Sequence, residues 1–99
     1  MIIYNVTTII EESIQEEYLD FMHQIHMPEV MATGKFSSCN LLHLTEPQNE
    51  GITYCAQYIT DKAENLADYR NKYSPKLQED FKQKFEGKFV AFRSVLESV

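Results

Sequence analysis

A chain of 99 residues is enough for one small domain with a single core, and too short for a catalytic domain beside a binding domain. Its 15 acidic residues outweigh 9 basic ones for a formal net charge of -6, and Lys and Arg form no cluster, so nucleic acid is excluded as an expected partner. The apolar run 1–6 is too short for the core of an export signal and lacks a basic flank, and no stretch nears the roughly 20 apolar residues that cross a bilayer; the expected location is the cytoplasm, with no membrane partner.

Residues 2–10, IIYNVTTII, are β-branched and aromatic almost throughout, which suits a pleated central strand and disfavours a helix. Ser13 and Glu16 then have the spacing of a capping box, and Ile14, Tyr18, Phe21, Met22 and Ile25 recur on one helical face. Pro28 lacks an N–H and crowds the carbonyl of Gln24, so this first helix is expected to stop or kink near His26 and Met27, with a short extra turn over 28–32 before Gly34. Strands follow over 36–45 and 52–60, joined through the turn formers of 46–51, and they should pair as a hairpin. Asp61 and Glu64 mark a second helix carrying Leu66, Tyr69, Tyr73, Leu77, Phe81 and Phe85 on one face, broken into two pieces at Ser74-Pro75 and ended by Gly87. A last strand spans 88–97.

The resulting order β-α-β-β-α-β predicts an α+β ferredoxin-like sandwich: a single domain over 1–99, with a four-stranded antiparallel sheet and two helices on one face. Period-two alternation sorts the strands into two sets. Ile2, Tyr4 and Val6, with Tyr54, Ala56, Tyr58, Val90, Phe92 and Leu96, form the more apolar set expected under the helices. The mixed set, with Ile3, Asn5, Gln57, Ile59, Arg93 and Val95, is expected on the open face. It is still too apolar for a solvated surface, so these six residues are expected at the interface of a homodimer.

The segments MIIYNVT, HMPEVMATGKFSS and KFVAFRSVLE resemble, over essentially the whole chain, an uncharacterised bacterial family, number 4286 of the domains of unknown function. The resemblance implies membership of the dimeric α/β-barrel superfamily, in which two ferredoxin-like sheets face each other across a dimer axis, and it brings no activity with it. Relatives often place tryptophan in the first helix where this chain has Tyr18 and Phe21, which leaves any aromatic wall there smaller.

His26-Met27-Pro28-Glu29 is the most pointed local constellation. An imidazole fixed at a helix break can reach the space between helix and sheet and exchange a proton near neutral pH. We therefore expect His26 as the acid or base of any catalysis, and Tyr4, His26, Glu29, Tyr54 and Tyr58 around a small-molecule ligand. The plain alternative is that His26 or Glu29 satisfies open backbone groups at the break. His23, His26 and Glu29 together resemble zinc or iron ligands, yet Pro28 disturbs their register and no fourth ligand is at hand, so no metal is expected. Cys39 and Cys55 lie in strands without metal spacing and are expected as reduced, small hydrophobes. No nucleophilic triad or phosphate-binding glycine loop occurs, and no cofactor is expected. The sequence thus supports a noncatalytic ligand-binding or interaction module, with a cofactor-independent isomerase, lyase or monooxygenase of a hydrophobic or aromatic small molecule as the alternative.

Overall fold

The β-branched run at the start of the chain forms β1 (Ile2–Ile10), which lies inside a four-stranded sheet of order β2-β3-β1-β4, antiparallel throughout. The computed structural model describes residues 1–47 and 50–99; Gln48 and Asn49, in the middle of the turn expected over 46–51, lie outside the described residues. The remaining strands are β2 (Ser38–His43), β3 (Ile52–Thr60) and β4 (Phe89–Glu97). Two helical rods cover one face of this sheet, as expected of the ferredoxin-like α+β sandwich.

The first rod begins with a 3-10 turn over Glu12–Ile14 and continues through α1 (Gln15–Phe21) and α2 (Met27–Ala32). The expected capping box does not form: the Ser13 hydroxyl donates to the Glu11 carboxylate at 3.3 Å. Pro28 does not end the rod either. A π turn over Met22–His26 joins α1 to α2, and its closing bond runs from the Met27 N–H to the Met22 carbonyl, one residue before proline would have to donate. That wider turn rotates the helical face. Ile25 becomes exposed while Met27 and Val30 enter the core.

The second rod is α3 (Ala63–Lys72) followed by α4 (Ser74–Phe85), broken at Tyr73-Ser74-Pro75 as the sequence indicates. Gly87, with φ +78°, releases the chain from α4 into β4. The rods are tied together by Lys84, whose ammonium pairs with Glu17 at 3.3 Å.

The pairing register assigns each strand residue to a face. Tyr4 lies opposite Tyr58 and Val6 opposite Ala56, beneath the helices as expected, and Thr8 lies opposite Tyr54 on the same side. For β4 the expected faces are reversed. Val6 pairs with Arg93 and Tyr4 with Val95, whereas Thr7 pairs with Phe92 and Ile3 with Leu96. Arg93 and Val95 therefore belong to the helix side of the sheet, and Val90, Phe92 and Leu96 to the open side. The exit from α4 decides this: the Lys88 N–H bonds the Phe85 carbonyl, the Glu11 N–H bonds the Lys88 carbonyl, and Phe89 then packs edge-on against Phe81 with ring centres 4.7 Å apart.

The same register separates the cysteines. Cys39 lies opposite Tyr58 on the helix side, Cys55 opposite Thr7 and Leu42 on the open side, so the two thiols point away from each other and no bridge can close. Burial also raises the Cys39 pKa, which disfavours its reactive thiolate. Alkylating the denatured protein without reductant should modify both cysteines in full. A uniformly oxidised sample would overturn this account.

Candidate functional site

His26 is the last residue of the π turn, and its ring lies between two phenylalanines. The ring centres of Phe21 and Phe81 are 5.9 Å and 5.8 Å away. From there it borders a cavity between sheet and helices, only about 40 Å³ of which the centre of a water molecule can reach. That is well below the roughly 150 Å³ of a cavity that takes up a benzene ring, so the enclosed space holds no aromatic substrate. The sheet supplies the floor with Tyr4, Thr8, Tyr58 and Arg93; the second rod supplies Tyr69, Ser74, Gln78 and Phe81.

Three features set the electrostatics. Burial, with the Arg93 guanidinium adding to it and Asp80 opposing, pushes the His26 pKa down to about 4, so the imidazole is neutral at physiological pH and offers one N–H and one lone pair. Tyr58 is only 2% exposed, and its hydroxyl has no hydrogen-bond partner among the described residues; burial and the neighbouring Tyr69 raise its pKa and keep the phenol protonated. Tyr69 is pushed up to about 12, chiefly by burial. On the wall opposite, the Gln78 amide donates to the Ser74 hydroxyl at 2.7 Å.

Arg93 is exposed at the cavity mouth. Among the described residues it makes no ion pair. Outside the mouth a groove of about 380 Å³ runs between α4 and β4, sharing Gln78, Phe81, Ala91 and Arg93 with the cavity.

Of the five residues expected around a ligand, the cavity brings together Tyr4, His26 and Tyr58. Tyr54 is elsewhere in the core, stacked on Tyr18 at 5.4 Å and accepting a bond from the Gln15 amide at 2.9 Å. Glu29 is exposed on the first rod, where it borders a separate recess with Lys72 and Lys76, and it does not line the cavity with His26. The wide turn likewise leaves His23 exposed, apart from His26.

Arg93 was legible only as a sheet residue. Its place in the site follows from the β4 register, and no local pattern announces it. Gln78 had a signal, since it follows Ser74 by four residues on the face that carries Leu77 and Phe81.

On the open side, Ile3, Asn5, Gln57 and Ile59 share one face as expected. Their centre is polar. The Asn5 amide donates to Thr7 at 3.0 Å and to Ser94 at 3.3 Å, and accepts from Gln57 at 3.3 Å. Around it the face is apolar, with Val90, Phe92 and Leu96 exposed by 63%, 54% and 47%.

Comparison with solved structures gives the same architecture. An ethyl tert-butyl ether D (EthD) family protein from Bacillus halodurans C-125 superposes with a TM-score of 0.69 at 14% identity, over 100% of both chains. A NIPSNAP domain protein from Burkholderia xenovorans does so with a TM-score of 0.69 at 12% identity, over 100% of this chain and 95% of its own. A conserved protein of unknown function from Bacteroides thetaiotaomicron follows with a TM-score of 0.68 at 11% identity, over 98% and 96%. At such identities the likeness is one of fold. No curated protein matches the sequence. The model of the family described as Domain of unknown function (DUF4286) matches residues 1–99, and the chain belongs to that family, on a ferredoxin-like fold.

Proposed function

We propose that this chain is a homodimeric, noncatalytic cytoplasmic module that binds a small molecule between its sheet and its helices. The observation that carries this reading is the cavity at His26, where the imidazole, held neutral, borders one space with Tyr4, Tyr69 and Arg93. A polar group set in a largely apolar frame suits the polar end of a ligand. Binding is favoured over turnover because the phenols there are held protonated, unfit as bases, and among the described residues no carboxylate lines the cavity, which leaves the imidazole as the single base. The homodimer is supported by the exposed apolar side chains Val90, Phe92 and Leu96 around the polar centre of the open face.

One observation favours the enzymatic alternative. An unprotonated imidazole beside a guanidinium is a base next to a cation, able to take a proton from carbon while the cation holds the oxygen that becomes negative. On that reading His26 is the acid/base of a cofactor-independent isomerase, lyase or monooxygenase.

Thermal melts with a small-molecule panel test the proposal on the parent, His26→Gln and Tyr58→Phe. Ligands that raise the melting temperature of the parent should lose most of that effect in His26→Gln. Tyr58→Phe alone should melt no lower than the parent, since it removes a buried hydroxyl that bonds nothing. A His26→Gln protein that keeps every ligand of the parent would remove His26 from the site, and chemical conversion of a bound compound would select the enzyme instead.

A further inference from the structure

We infer that the site takes a carboxylate-headed ligand, with Arg93 as its anchor at the junction of the inner cavity and the groove between α4 and β4. This rests on the binding reading above and names the ligand class. The inner space of about 40 Å³ suits a head group of two oxygen atoms, each about the size of a water. The groups that border it are rich in donors. Neutral His26 keeps one N–H, and the Gln78 amide retains an N–H beyond the one it gives to Ser74.

The charge is at the mouth. Arg93 carries a planar fork of N–H groups without an ion pair among the described residues, and a carboxylate meets that fork with two parallel bonds. A phosphate would bring more charge than one arginine balances in so small a space. Outside, the groove of about 380 Å³ is walled by Pro75, Phe81 and Phe89, an apolar bed for the body of such an acid. Its two further charges offset each other: Glu79 is negative and accepts a bond from Gln83 at 3.3 Å, and Lys82 is positive, which leaves Arg93 as the net charge of the groove. The ligand class is therefore a carboxylic acid with a short apolar tail, head inward and tail along α4.

The probes are hexanoate and hexanamide, equal in shape and different in charge, titrated into the isotope-labelled protein at low salt and followed by NMR. Hexanoate should shift the amide signals of Gln78, Ala91 and Arg93 saturably, with hexanamide weaker by roughly tenfold or more. Arg93→Gln should abolish that preference, and Arg93→Lys should restore part of it, because a point charge replaces the fork. Both variants change an exposed side chain, and a dispersed spectrum shows that each is folded. If the amide binds as tightly as the acid, or Arg93→Gln keeps the preference, the carboxylate assignment falls while the binding site stands. If neither probe moves the cavity residues, both fall.

Discussion

Light scattering at micromolar concentration is expected to report twice the chain mass of 11.6 kDa, and Phe92→Lys should return it to the single mass. The corrected β4 register strengthens this expectation, because it brings Val90, Phe92 and Leu96 onto the face that already holds Ile3, Ile9 and Ile59. In the single chain Phe92 is 54% exposed, so the substitution leaves the core intact. Within a dimer it removes an aromatic contact of about 2 kcal/mol or more and requires a charge to be desolvated, for a loss of affinity of roughly a hundredfold or more. Ile59→Lys should act the same way from β3, opposite Ile3 and Ser38. The bonded Asn5, Thr7, Gln57 and Ser94 at the centre of the face would fix how two sheets align, a role for polar groups where apolar contacts alone allow sliding. A parent protein that remains a folded monomer at those concentrations would end the dimer proposal.

His26 should make stability depend on pH in a defined window. Its pKa is about 4 in the folded chain against an ordinary 6.5, so below pH 6.5 the unfolded chain takes up a proton that the folded chain refuses. Stability is then fully present above pH 6.5 and is lost as the pH falls toward 4, by up to about 3 kcal/mol. Urea melts at about pH 7 and about pH 4.5 measure this loss directly. His26→Gln should remove most of it, leaving only the contribution of the carboxylates. A variant with the same loss as the parent would show that the imidazole is not buried as described. The same experiment separates two consequences of one residue: the variant is expected to be less stable than the parent near neutral pH through lost packing on Phe21 and Phe81, yet less sensitive to acid.

How much of this was legible beforehand depended on whether a segment alternates. In β1 and β3, Tyr4 and Val6 with Tyr54, Ala56 and Tyr58 are separated by smaller or polar residues such as Asn5, Cys55 and Gln57, so period two assigns their faces without a structure. Element order, the break at Ser74-Pro75 and the turn at Gly87 were legible for a similar reason, since each rests on the conformational limits of one residue. The start of β4 offers no such contrast. Phe89, Val90, Ala91 and Phe92 are all apolar, and a one-residue change of register costs little locally while exchanging every side chain between faces. Only the tertiary structure decides it, through the two backbone bonds of Lys88 and the packing of Phe89 on Phe81. That choice puts Arg93 beside His26. Pro28 likewise constrained the backbone without dictating the response: a break and a π turn both relieve the crowding, and burial of Met27 and Val30 against the sheet selects the turn that keeps the helical rod continuous and holds His26 over the cavity.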